Sequence, residues 1–140
     1  MKVRFKKLCE NAVIPVKGSS GAAGFDMVIT SMQEVDYYHT GYGFGLAVEI
    51  PRGYVGLVFP RSSVYKHGML LTNSVGVIDS DYRGEIRAVF LGVSDEVRYK
   101  VGERACQIVV VKIPEVEVVE VGELSDTERG DGGFGSTGDK

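Results

Sequence analysis

The chain alternates hydrophobic and polar positions with a period of two. Residues 2–6 run Lys-Val-Arg-Phe-Lys. Residues 115–118 run Glu-Val-Glu-Val, slip at Val119 and resume through Glu120 and Val121. Residues 85–90 begin in the same way, Glu-Ile-Arg-Ala. Successive side chains of a strand point to opposite faces, so this pattern predicts strands with one face buried and one in water. Three further runs, residues 44–50, 54–59 and 105–113, are almost continuously β-branched, aliphatic or aromatic and predict strands buried on both faces. Gly, Pro, Asn and Asp interrupt these runs at short intervals, which suits an all-β barrel or sandwich. A single segment, Ser62–His67 after Pro60 and Arg61, suits a helix of one or two turns, with Ser62 or Ser63 as its cap.

The pattern changes after Gly122. Leu124 is the last aliphatic residue, and residues 129–138 hold five glycines and one aromatic, Phe134. Such a segment buries too little apolar surface to offset the entropy of ordering itself. The expected organisation is therefore one β domain over residues 1–122 and a mobile segment over 123–140. A chain of 140 residues is one domain's worth and can bury roughly two thirds of its unfolded surface. A formal net charge of −3 argues against sequence-independent binding to a nucleic-acid polymer, which rewards a basic face. Any polyanionic ligand must be handled locally by a few placed arginines. Cys9 and Cys106 match no metal-binding or redox spacing and are expected to be reduced thiols of a cytoplasmic protein. The first residues carry no apolar signal region, and no apolar run approaches the ~20 residues of a membrane helix.

Several patterns match known sites by letter and fail by context. Gly130, Gly132 and Gly135 have the dinucleotide-binding spacing, but that motif needs a helix after it, and only five residues follow. No lysine precedes Ser136 and Thr137, so the stretch is not a P-loop. Residues 79–84 begin like a calcium loop, but Arg83 and Phe90 would fall at its fifth and twelfth ligand positions, where oxygen donors are required. His39 and His67 cannot form a metal site alone.

Five other segments gain meaning together. In order they are Ala22-Ala23-Gly24-Phe25-Asp26, Pro60-Arg61-Ser62-Ser63, residues 76–86 (Gly-Val-Ile-Asp-Ser-Asp-Tyr-Arg-Gly-Glu-Ile), Arg104-Ala105-Cys106-Gln107, and the glycine-rich stretch from Arg129 to Gly138. Hydrolysis of a nucleoside triphosphate needs a base to position water, cations and N–H donors around the phosphates, and a surface for the nucleobase. Asp79 follows the apolar stretch 75–78 at a tight turn, where rigid backbone can hold a carboxylate.

All five segments, in this order from about residue 21 onward, resemble the motifs of the trimeric dUTP diphosphatase family. The resemblance implies a distorted antiparallel jelly-roll β-barrel, a homotrimer with sites shared between subunits, and hydrolysis of dUTP to dUMP and pyrophosphate. It assigns Asp79 to activating the attacking water. It assigns Tyr82 to packing on the deoxyribose, so that a 2′-hydroxyl is excluded. It places uracil against a hairpin between Asn73 and about Arg87, with Asn73, Gly76, Val77 and Ile78 lining it. Arg61, Ser62, Ser63 and Gln107 are implied phosphate contacts; many family members have glycine where this chain has Ser63. Asp26 and Arg104 are expected to pair in a supporting role. The tail is implied to close as a lid, with Phe134 stacking on the base and Arg129, Gly135, Ser136 and Thr137 gripping phosphates. Mg²⁺ is expected on the substrate's phosphate oxygens, with no direct protein ligand and a water-mediated contact to Asp26 at most.

Two rival readings share the fold. A related dCTP deaminase carries a catalytic glutamate five residues after the hairpin glycine, where this chain, counted from Gly84, has Val89. A nucleotide-responsive binding protein would use a contact surface, for which residues 31–43, rich in Tyr and Gly, are the candidate; a strand and loop is the plainer expectation for them.

Overall fold

The structure, a computed structural model, describes residues 1–92 and 97–134. The described residues form ten short strands and one helical turn: β1 (Arg4–Lys7), β2 (Phe25–Val28), β3 (Ser31–Glu34), β4 (His39–Gly43), β5 (Leu46–Glu49), β6 (Tyr54–Pro60), β7 (Met69–Leu71), β8 (Gly76–Ile78), β9 (Arg87–Gly92) and β10 (Arg104–Lys112), with a 3-10 helix over Ser62–His67 between β6 and β7. Every pairing is antiparallel. One four-stranded sheet has the order β2-β10-β6-β8 and a second has β3-β4-β9-β7, while β1 and β5 form a two-stranded ribbon. This is the all-β architecture expected from the two-residue period, laid out as a distorted jelly roll.

The core lies between the sheets. Tyr42, Phe44, Leu46, Met27, Ile29, Ile86, Phe90 and Ile108 are all buried to 1% exposure or less. Removing each such side chain from water is worth about 1.5–3 kcal/mol. The buried run 44–50 is broken once, at Gly45, whose φ of +61° turns the chain from β4 into β5. The Cys9 sulfur and the Ala12 methyl crowd that position, so no side chain fits there.

Two expectations are corrected. Residues 115–121 form no strand despite their alternation; all are exposed, with Val118 at 93%. Alternation encodes a face to be buried, but burial needs a partner edge, and no strand of the described chain supplies one. The turn at Ser62–His67 is present but lacks a serine cap. Its capping position is Arg61, in extended conformation, and no side chain caps the turn. The segment 31–43 is the hairpin β3–β4, registered through Ser31↔Gly43 and Glu34↔Thr40.

Candidate active site

The candidate residues gather at two places. The first lies where β2, β10 and the end of β6 meet. Antiparallel pairing sets Gln107 opposite both Asp26 and Phe59. Asp26 has a side chain only 11% exposed and receives two arginines: Arg61 Nε donates to Oδ1 at 3.0 Å and Arg104 Nη1 to Oδ2 at 3.2 Å. A half-buried carboxylate with a guanidinium on each oxygen fixes both side chains in direction. Arg61 is also tied through its backbone N–H to the Ala105 carbonyl at 3.0 Å. Ser62 and Ser63 follow it on the 3-10 turn. Gly24 closes the arrangement from behind, since a Cβ there would stand 2.3 Å from Gln107 Oε1. Three cationic or amide side chains and two hydroxyls therefore share one end of the sheet.

The second place is the turn from β7 to β8, strands that pair with β9 and β6 respectively and not with each other. Asn73 and Ser74 form its tip, Ser74 with φ of +60°, and the Val75 N–H bonds back to the Asn73 carbonyl at 2.5 Å. Beside the tip is a hollow of about 220 Å³ lined by Asn73, Gly76, Arg87, Val58, Leu71 and Val89, among others. That is below the range of about 300–1,000 Å³ typical of drug-sized ligands and suits a single ring. The Gly76 Cα faces the Val58 side chain, and an added Cβ would meet it at 3.1 Å. Val77 points outward at 62% exposure and Ile78 is half-buried. Arg87 is exposed and donates from Nη2 to Gln33 Oε1 at 3.1 Å.

Asp79 comes directly after β8. It is exposed and opens onto a separate, wider hollow of about 710 Å³, together with Asp81, Arg83, Arg52 and Glu49. The turn that holds it closes through Tyr82 N–H to the Asp79 carbonyl at 3.2 Å. Tyr82 folds back over the hairpin: its hydroxyl donates to the Glu85 carbonyl at 3.0 Å, and its ring covers the space in which a side chain at Gly84 would sit. The sequence shows Gly84 only as a motif letter; its packing role under Tyr82 is visible only in three dimensions.

Asp79 and the first place do not meet within one chain. Register pairs Ile78 with Gly56, so Asp79 lies beyond the Val55 end of β6, whereas Arg61 lies beyond its other end. Six residues of strand separate them, on the order of 20 Å at about 3.3 Å per residue. In the tail, Arg129 Nε donates to the Gly132 carbonyl at 2.8 Å and Phe134 is fully exposed. Gly135, Ser136 and Thr137 lie outside the described residues. One residue escaped sequence reasoning altogether. Tyr99 is buried to 2% under the 3-10 turn, and no motif marks it.

Comparison with known proteins identifies the family. The family model described as dUTPase matches residues 10–138. The deoxyuridine 5′-triphosphate nucleotidohydrolase of a Hydrogenobaculum species is 45% identical over the whole of both chains. That of Nautilia profundicola is 46% identical over 99% of each, and that of Paramecium bursaria Chlorella virus 1 is 42% identical over 95% of each. Among solved structures, the dUTPase of Staphylococcus bacteriophage 80alpha, determined with the nucleotide analogue dUPNHPP, superposes with a TM-score of 0.83 at 27% identity over 98% of each chain. With a family model spanning nearly all its length and full-length relatives above 40% identity, this chain belongs to the dUTPase family.

Proposed function

We propose that the protein hydrolyses dUTP to dUMP and pyrophosphate, keeping uracil out of DNA and supplying dUMP for thymidylate synthesis, at sites shared between three copies of the chain. The observation that supports it best is Asp79, an exposed carboxylate at the end of β8, one strand away from a ring-sized hollow lined by Asn73 and Arg87.

In this reading uracil enters the hollow and is read by the backbone of the hairpin. A hairpin carbonyl accepts from uracil N3–H and N–H groups donate to its carbonyls; cytosine reverses part of that pattern and leaves buried groups unpaired. Tyr82 meets the deoxyribose. Asp79 accepts a proton from water as that water approaches the α-phosphorus. A general base has to sit within about 3 Å of the proton it takes, or one water away. Since Arg61 and Ser62 follow the far end of β6, on the order of 20 Å from Asp79, the phosphate-gripping set facing a given Asp79 comes from another copy. The unpaired arm over residues 113–121 is the natural element to add to a neighbouring copy's sheet edge, and the tail beyond it to carry Phe134 and Arg129 over a site.

Among the described residues no group of three or more His, Cys, Asp or Glu side chains converges to hold a metal ion. In this reading the ion would be carried on the substrate's phosphate oxygens, with a water-mediated contact to Asp26 at most. Mg²⁺ held in this way would neutralise phosphate charge and help orient the α-phosphate. A cytoplasmic site of action accords with the two unpaired cysteines. Deamination lacks its carboxylate, because position 89 is a half-buried valine.

The test is pyrophosphate release from dUTP, dCTP, dTTP and UTP with Mg²⁺, for the natural chain and for Asp79→Asn. Turnover of dUTP alone, falling by about 10²–10⁴ in Asp79→Asn, is the expected result. A folded protein that hydrolyses none of the four would overturn the proposal.

A further inference from the structure

Tyr99 is among the largest fully buried side chains of the molecule, and it sits against the turn that carries Ser62 and Ser63. Its ring stacks on His67, at the end of that turn, with centroids 3.7 Å apart and planes 24° from parallel. Tyr42 and Phe90 pack edge-on against its other sides at 6.2 and 6.0 Å. Its carbonyl accepts from the Tyr42 hydroxyl at 3.3 Å. The backbone and the ring are thus fixed. The hydroxyl is not: it is buried and makes no hydrogen bond of ordinary geometry among the described residues. Burial pushes this phenol above its ordinary value, and the Ser63 side chain beside it works in the opposite direction. An unpaired buried hydroxyl is costly and rare in native proteins, so its persistence next to a candidate phosphate contact calls for a partner.

Ser63 supplies a reason. The turn itself has no side-chain cap and no fully buried residue, so little within it fixes a serine rotamer. A serine hydroxyl both donates and accepts. When its proton points to an anion, its lone pairs face away and can take a proton from a group behind it.

We propose that Tyr99 is a positioning residue of the phosphate site: its O–H donates to Ser63 Oγ, which sets the Ser63 O–H to donate to a phosphate oxygen of the bound nucleotide. The inference rests on the functional reading above and adds a residue to it. Chains of hydrogen bonds in a low-dielectric interior polarise one another, so the outer bond depends on the inner one.

The experiment is calorimetric titration with a non-hydrolysable α,β-imido analogue of dUTP and, separately, with deoxyuridine. The proteins are the full natural chain, Tyr99→Phe, Ser63→Ala and the double variant. Tyr99→Phe keeps the ring and its stack on His67, and near-ultraviolet circular dichroism checks that packing. The expected result is a dissociation constant for the analogue raised about five- to tenfold in each single variant, with no further rise in the double variant and deoxyuridine binding unchanged in all four. Equal affinity of Tyr99→Phe and the natural chain for the analogue overturns the proposal. So do losses that multiply in the double variant, and so does an equal loss for deoxyuridine, which carries no phosphate. Should Tyr99→Phe fold poorly, Ser63→Ala alone decides: unchanged analogue affinity removes the outer bond and with it the proposal. The functional reading fails by a different result, namely no pyrophosphate release from dUTP by the natural chain.

Discussion

In the proposed reading, sugar selection depends on how Tyr82 is seated in its turn. Tyr82 lies over Gly84, and a Cβ at Gly84 would stand 2.3 Å from the tyrosine hydroxyl. Gly84→Ala therefore pushes the ring off its seat and breaks its bond to the Glu85 carbonyl, while the strands on either side keep their register. The expected outcome is a loss of discrimination between dUTP and UTP by about tenfold, read as the ratio of kcat/KM values, with a smaller loss of activity on dUTP itself. A second residue-scale prediction concerns Cys106, which β10 buries completely. Burial pushes its thiol up to about 12 from an ordinary value of 9.0. The unfolded chain releases this proton first as pH rises, so above pH 9 it binds fewer protons than the folded chain, and stability falls with pH until about 12. Denaturant melts from pH 8 to 10.5 should show that decline, and Cys106→Ala should flatten it. The same burial leaves Cys106 unreactive towards iodoacetamide at pH 8 in the folded chain, while the exposed Cys9 is alkylated.

At the scale of elements, the sequence was legible wherever a strand finds its partner inside the chain. The run 105–113 becomes β10, which pairs with β2 and β6 and carries the buried Ala105, Cys106 and Ile108. The stretch before Asp79 becomes β8, and the turn at 62–67 lies where Pro60 and Arg61 end β6. The reading failed where the deciding partner is remote. Residues 115–121 carry as clear an alternation as residues 2–6, yet only the latter include a strand, because β5 lies alongside to receive it. Capping failed for a related reason: Arg61 is drawn into extended conformation by its ties to Asp26 and Ala105, and that moves the cap one residue ahead of the serines. Within the site, polar residues on motif turns were found, whereas Tyr99 was not, because a lone tyrosine between polar residues gives no sign that it will be buried beneath a turn. The tail provides the element-scale prediction. Every described residue from 113 to 131 is exposed, and none belongs to the core. A chain ended before Arg129 should melt within about 2 °C of the full protein, since surface changes away from packed features usually cost under about 0.5 kcal/mol. It should nevertheless lose most of its kcat/KM on dUTP, because an open site admits water and lacks the last cation. Equal activity of the two chains would remove the lid role.

For the whole molecule, the proposal of a site shared between copies rests on the geometry of β6. By register Asp79 lies beside the Val55 end of β6, whereas Arg61 and Ser62 follow its other end, so the β2-β10-β6-β8 sheet holds them apart within one chain. In the proposed reading a chain with a damaged Asp79 still has an intact phosphate-gripping end, and a chain with a damaged phosphate end still has an intact Asp79. If copies exchange these halves, two inactive variants should repair one another. Asp79→Asn and Gln107→Ala, produced together in one cell so that mixed assemblies form, should recover activity that neither has alone. With random assembly, a site draws its aspartate from one variant and its glutamine from the other correctly in half of cases each. Roughly one quarter of sites should then be complete in a cyclic oligomer with head-to-tail interfaces. Sedimentation should give one species of three chains, and pyrophosphate release should approach about a quarter of the natural rate, with a KM for dUTP equal to that of the natural protein, because the repaired sites are natural ones. Separately purified variants mixed without reassembly should stay inactive. Failure of the co-produced mixture, with oligomers present, would mean that each chain completes its own site, and the position of Asp79 at the far end of β6 would then have to change on binding nucleotide.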